Sequence, residues 1–215
     1  MDAISDSLQR RRITYVSHTT PCHRLPDIFR HAALLSLTER TARVIAEPMD
    51  SDGHYWGSAD KKEAFAGFII CSFMPPWWMC RSHDDELAII LLDSVTVCTM
   101  PGTCYCPINS AYSEYPADDI KQRSGIEAFD ACFPNPDTFM AGNAEIIVPS
   151  AIPLKAFRGI VFCDKEAHDY WLPILGEILS SLSPGVKPSQ PIQVAARGLP
   201  GFRFPGDYAA TRRVR

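Results

Sequence analysis

Five apolar runs rich in β-branched and aromatic residues constrain this chain more than any other feature. They are "RRITYVSHTT" (11–20), "FAGFIICSFM" (65–74), "DELAIILLDSVTVC" (85–98), "AEIIVPS" (144–150) and "FRGIVFC" (157–163). Such residues suit a pleated, half-buried surface, and Pro or polar turn residues punctuate the chain between runs. The run 85–98 is long enough for a helix, but its Ile-Ile-Leu-Leu and Val-Thr-Val content favours strand. Three segments read as helices. "LPDIFRHAALLSL" (25–37) has Pro26 in its first turn and Leu25, Ile28, Phe29 and Ala32 at helical spacing. "IEAFDACF" (126–133) is short, and "KEAHDYWLPILGEILSSLS" (165–183) carries Pro173, which demands a kink or break. Strands and helices segregate rather than alternate. The expected class is therefore α+β, with a central, mainly antiparallel sheet flanked by helices.

At 215 residues the chain suffices for one packed domain, expected over 1–183. Residues 184–215 are rich in Pro, Gly and Arg and read as an extended surface tail. The net charge of −4 provides no global basic field for nucleic acid, so any such binding needs a local patch. The basic clusters "QRRR" (9–12) and "TRRVR" (211–215) read as solvated ends. No apolar run reaches the roughly 18 residues that span a bilayer, and the charged N-terminus lacks a signal-peptide core. Eight cysteines, several within apolar runs, are expected to be mostly reduced thiols of a cytoplasmic protein. The spacings C-x5-C-x-C (Cys98, Cys104, Cys106) and C-x2-H (Cys80, His83) differ from the paired clamps of structural zinc, so no metal is expected. Neither G-x-G-x-x-G after a strand nor G-x4-G-K-[ST] occurs, which argues against Rossmann and P-loop nucleotide binding.

Three groups stand out as candidate chemistry. His18 and Thr20 close the first strand, and the aromatic and proline collection "GFIICSFMPPWWM" (67–79) is joined by Tyr112. Glu145 is a lone acid at the mouth of an apolar run. Singly, each has an ordinary explanation. A strand-end histidine is commonly a satisfied polar group, Trp77 and Trp78 suit packing, and an acid at a strand opening is commonly solvated.

Their order and spacing carry more. "HTT" (18–20) precedes "LPDIF" (25–29), and the aromatic strand and proline-rich turn "FIICSFMPPWWM" (68–79) follow. Next come "NSAYSEYPADD" (109–119) and "AEIIVPSAIPLKAFRGIVF" (144–162). This series resembles the DarT-type ADP-ribosyltransferases, toxins that modify thymidine in single-stranded DNA. The likeness covers roughly residues 13 to 163. It implies an ADP-ribosyltransferase-like fold with a split sheet, and NAD as co-substrate without a metal. Glu145 would be the catalytic carboxylate that steadies positive charge on the ribose. His18 and Thr20 would hold the adenosine-side ribose or pyrophosphate, and Met79 and Tyr112 would flank the nicotinamide. Trp56, Lys61, Trp77, Trp78, Phe139 and Asn143 would serve the acceptor, with phosphate contacts from Arg10–Arg12, Lys121, Arg123 and the C-terminal arginines. The resemblance also implies a single-stranded nucleic-acid partner and a macrodomain-type antitoxin. One departure stands out. The family carries an arginine before the aromatic strand, whereas Lys61 and Lys62 are the only lysines or arginines between Arg43 and Arg81. A lysine offers a point charge, not a planar fork. Alternative readings keep the fold with an RNA, protein or small-nucleotide acceptor, or make it a non-catalytic binding module. A cysteine–histidine hydrolase using Cys22 or Cys104 is a further alternative.

Overall fold

A seven-stranded sheet organises the chain, in spatial order β5-β6-β3-β1-β4-β8-β9. The computed structural model describes residues 2–43, 64–73, 87–110, 113–135, 142–188 and 190–196. The strands are β1 (Tyr15–Pro21), β2 (Ala33–Leu34), β3 (Ile69–Ser72), β4 (Leu87–Asp93), β5 (Cys104–Cys106), β6 (Glu145–Val148), β7 (Ile152–Pro153), β8 (Phe157–Phe162) and β9 (Gln193–Ala196). Every pairing is antiparallel except β8 with β9, and β2 and β7 form a separate two-stranded sheet. The expected α+β class with a mainly antiparallel sheet is what the structure has.

β4 reads as an unbroken apolar run because the sheet is covered on both faces there. Ala88, Ile90 and Leu92 point into the main core, and Leu87, Ile89 and Leu91 into a smaller cluster with Val161 and Cys163. Helices Ala3–Arg11, Leu25–Arg30, Gly125–Asp130 and Lys165–Ser181 contribute Leu8, Phe29, Phe129 and Leu175 to the main core. Its densest part is aromatic. Phe129 lies 5.5 Å from Phe73, 5.4 Å from Tyr105 and 5.2 Å from Phe133 between ring centroids. Tyr105 buries its hydroxyl by donating to the Cys98 carbonyl at 2.6 Å. At the other side Gly159 lets β9 close in, since a Cβ there would stand 3.1 Å from the Gln193 carbonyl oxygen.

Several boundaries differ from expectation, each for a physical reason. Residues 3–11 form a helix, and the strand expected over 11–20 begins at Tyr15. Arg11 of the "QRRR" cluster is buried, not solvated. It pairs with Asp130 at 3.0 Å, donates to the Asn135 carbonyl at 3.1 Å and stacks 4.2 Å above the Phe133 ring. The helix expected over 25–37 ends at Arg30, yields to β2, and restarts at Leu37 behind a Ser36–Glu39 capping box. The 85–98 run is a strand only to Asp93, which then caps the helix Ser94–Cys98 through the Thr96 amide at 2.8 Å. The 126–133 helix is observed as Gly125–Asp130. Pro173 does not end the last helix, which runs Lys165–Ser181. The proline is exposed, so the carbonyl it leaves without a donor can meet water. The segment after 184, expected as tail, supplies β9.

Candidate functional site

Glu145 begins β6, two residues after the turn that Gly142 makes at φ +54°. A left-handed φ there suits a residue without Cβ. In register, Glu145 lies between Cys106 of β5 and Ser72 of β3, and Ser72 in turn pairs with Ser17 of β1. Directly paired residues share a sheet face, so Cys106, Glu145, Ser72 and Ser17 form one row. The Glu145 residue is only 9% exposed. A buried carboxylate needs hydrogen bonds, and the Ser110 backbone N–H supplies one to Oε2 at 2.7 Å. Short, charge-assisted bonds of this type are among the stronger ones.

Two half-sheets meet beside this row. β1 and β3 share one register pair, Ser17 with Ser72, reinforced by Ser17 Oγ donating to the Ser72 carbonyl at 3.3 Å. One residue further, the His18 side chain reaches across the seam, its Nδ1 lying 2.9 Å from the Ile70 carbonyl oxygen. A carbonyl only accepts, so Nδ1 carries the proton and, in the neutral ring, Nε2 is the acceptor. Strands pack about 4.8 Å apart, which puts the β1 backbone at Ser17 on the order of 10 Å from that of Glu145. His18 thus lies two strands away from Glu145. Strand alternation sets its side chain on the other face of β1, alongside Val16 and Thr20, and the ring turns into the seam.

Thr20 is 3% exposed and lies on the face opposite Glu145. Thr19, which the motif reading passed over, lies on Glu145's face. Its Oγ1 is buried without a hydrogen-bond partner among the described residues. Period-two alternation from Ser17 could have singled it out, had the strand register been known. Asn143 lies two residues before Glu145 and lines a cavity of about 470 Å³ with the 107–109 loop. Met79, Tyr112, Trp56, Lys61, Trp77, Trp78 and Phe139 fall outside the described residues, as do Arg10–Arg12's proposed counterparts at the C-terminus.

The thiols near the site are poor nucleophiles. Burial pushes Cys71 and Cys106 above the usual thiol range, and the Glu145 charge adds to this. Burial also raises Cys104, and Cys22 is fully buried. A hydrolase needs a thiolate, so neither cysteine suits that reading. Cys163 is disulfide-bonded; Cys22, Cys71, Cys98, Cys104, Cys106 and Cys132 are not in disulfides. Among the described residues no cluster of three or more His, Cys, Asp or Glu could hold a metal ion. No helix there is long and apolar enough to cross a membrane.

Most of the chain aligns with solved structures. Thermus sp. 2.9 DarT in complex with ADP-ribosylated ssDNA matches with a TM-score of 0.54 over 86% of this chain and 95% of that one, at 15% identity. This is the DarT fold. The same Thermus protein in complex with NAD+ gives a TM-score of 0.52 over 86% and 96% of the two chains, at 14% identity. Thermosipho africanus DarTG in complex with ADP-ribose gives 0.54 at 15% identity, over 85% of this chain and 50% of that longer one. At the level of sequence, no family model and no curated protein matches the chain. The DarT fold is therefore kept here by packing and strand order with few residues in common.

Proposed function

We propose that this chain is an NAD-dependent mono-ADP-ribosyltransferase that modifies a nucleobase in single-stranded DNA. The observation that carries the reading is the Glu145 carboxylate, buried and held by the Ser110 amide beside the β1–β3 seam. The fold neighbours support it, since they were captured with NAD+ and with ADP-ribosylated ssDNA. In the reaction the bond from ribose C1′ to the nicotinamide nitrogen breaks and nicotinamide leaves with the bonding pair. The ribose passes through an oxocarbenium-like state, as in glycoside cleavage. A base nitrogen then bonds C1′ and releases its proton. Glu145 stabilises the ribose cation, and a fixed charge in a dry site is worth most at that point. His18 holds the dinucleotide from the seam. Thr20, on the same face of β1 as His18, assists it, and Thr19, with its buried hydroxyl on Glu145's face, joins them. Met79 and Tyr112 flank the nicotinamide, and Trp56, Lys61, Trp77, Trp78, Phe139 and Asn143 serve the acceptor. Arg123, stacked 5.0 Å from the Tyr115 ring, Lys121 and the exposed Arg10 and Arg12 are the phosphate contacts within the described residues. The protein acts as a cytoplasmic toxin with a macrodomain-type antitoxin.

A second reading keeps the fold and the NAD chemistry but changes the acceptor to RNA, protein or a small nucleotide. The absence of arginine between Arg43 and Arg81 favours it. One experiment separates the two: incubation of the full chain with NAD and, in parallel, single-stranded DNA, single-stranded RNA and protein, read by mass spectrometry. The expected result is nicotinamide release with one ADP-ribose added to DNA. Labelling of RNA or protein alone would replace the first reading with the second.

The Ser110 amide gives a second expected outcome. Ser110→Pro deletes the N–H donor, whereas Ser110→Ala keeps it. A hydrogen bond to a charged group contributes about 1.5–3 kcal/mol. The proline variant is thus expected to lose roughly 10- to 100-fold in kcat for nicotinamide release relative to the alanine variant, with KM for NAD held. Equal kcat in the two variants would remove the amide from the mechanism.

A further inference from the structure

Among the described residues β5 is an edge strand of the sheet, next to β6. The chain that leaves the helix Ala117–Gln122 runs along its outer side. The Tyr105 N–H donates to the Arg123 carbonyl at 2.8 Å, and Cys104 bridges Ser124. The Arg123 backbone is thus two strand spacings from that of Glu145, on the order of 10 Å. Ile120 of the helix clusters with Cys106 and Ile147, which lie on the sheet face that carries Glu145. The Arg123 guanidinium has no carboxylate partner among the described residues; Asp118 pairs with Lys121 instead, at 3.3 Å. Its Nε is buried without a hydrogen-bond partner. It stacks on Tyr115, with Cζ 5.0 Å from the ring centroid. Tyr115 is nonetheless 40% exposed, so the ring keeps area for a second flat group. The pair is linked to the surroundings of the carboxylate. The Tyr115 N–H donates to the Ser113 hydroxyl at 3.0 Å, the Ser113 side chain bonds the Cys106 thiol, and Cys106 pairs with Glu145. Burial sets that thiol high, and of the two charges acting on it Glu145 raises it and Arg123 lowers it.

On the transferase reading above, which it deepens, we propose that Tyr115 and Arg123 form a clamp for one nucleotide flanking the acceptor in single-stranded DNA, Tyr115 stacking its base and Arg123 holding its phosphate. A half-buried cation without a counter-charge is costly unless an anion completes it. The planar fork of arginine matches the oxygens of a phosphate. A tyrosine that carries the guanidinium on one face can take a base on the other, an arrangement that tolerates any base because each has a π-face. The two groups together suit a nucleotide better than a bare phosphate, which needs no ring, or a peptide carboxylate, which brings none. Their distance from Glu145 seats that nucleotide beside the acceptor and not in its place.

The test uses the full chain and a fluorescent single-stranded DNA oligonucleotide. It measures Kd by anisotropy over a series of salt concentrations, and KM for NAD and for the oligonucleotide in the transfer reaction. Tyr115→Ala is expected to weaken Kd about tenfold, the loss of one stacked base, with the salt dependence kept. Tyr115→Phe retains the ring and should retain the affinity. Arg123→Gln is expected to reduce the slope of log Kd against log salt by about 0.7, the share of one phosphate on a single strand. Arg123→Lys should keep that slope and still bind more weakly, because it loses the fork and the stack. In each weakened variant KM for the oligonucleotide should rise with Kd. An unchanged slope in Arg123→Gln overturns the proposal, and so does an unchanged Kd in Tyr115→Ala. Should either of these variants fail to fold, Arg123→Lys decides: wild-type Kd in it overturns the clamp. A rise in KM for NAD with DNA binding intact also overturns it, because the arginine would then serve the dinucleotide. Wild-type protein that binds RNA or protein but not this DNA overturns the clamp as well. Wild-type protein that binds the DNA in the expected pattern yet releases no nicotinamide from NAD overturns the transferase reading and leaves the clamp standing.

Discussion

Glu145→Ala is expected to lower ADP-ribose transfer and nicotinamide release by at least about 10²–10³-fold, the usual consequence of deleting one preorganised electrostatic group. Glu145→Gln should lose nearly as much, because it keeps the shape of the side chain and removes the charge. Folding should survive both changes. A carboxylate that is 9% exposed is costly to desolvate, so Tm should hold or rise in the glutamine variant. That combination, activity lost and stability kept, marks a group held in place for chemistry. Turnover of NAD by either variant at the wild-type rate would end the catalytic assignment. In cells, growth arrest on expression should vanish with Glu145→Ala, and arrest of equal strength would count against the toxin reading.

The second large effect concerns stability. Phe129 is fully buried and touches Phe73, Tyr105 and Phe133 edge-on or tilted. Phe129→Ala removes these contacts and leaves a cavity, at a cost of about 3–5 kcal/mol. For a chain of this size the corresponding fall in Tm is on the order of 10 °C. Phe129→Leu should cost much less, since it refills most of the volume. The helix Gly125–Asp130 leads directly into Ala131, Cys132 and Pro134, which line one cavity with Asn143, a residue proposed above for the acceptor. Labelling of DNA should therefore fall in Phe129→Ala at temperatures where the fold is still mostly native. Thermal or urea denaturation checks the magnitude, and a loss below about 1 kcal/mol would mean that this aromatic cluster does not hold the sheet to its helices.

Strand identity was legible because it is local. β3, β4, β6 and β8 all lie within apolar runs that β-branched residues mark out. Helix limits were less legible, because propensity is a weak guide against tertiary context. Ala3–Arg11 was missed since its arginines resemble a solvated end, while Arg11 finds Asp130, the Asn135 carbonyl and the Phe133 ring across the fold. β9 was missed because its pairing with β8 is long-range and parallel, and its segment is rich in Pro and Gly. Motif order supplies Glu145 and His18 as candidates. That Thr19, and not Thr20, shares Glu145's face could not be read, because it depends on the register of β1 against the Glu145 row.

Residue order alone determined the α+β class, the apolar strands and the two polar groups, one early and one late, that bracket the candidate chemistry. These follow from periodicity and side-chain type, which act over a few residues. Only the tertiary structure decided that Ser17, Ser72, Glu145 and Cys106 share one row, that Ser110 lends its amide to the carboxylate, and that Asn109 and Asn143 line the same cavity. Those relations are set by strand register and by the packing of segments tens of residues apart, and nothing in a local stretch of sequence encodes which distant segment will lie beside it.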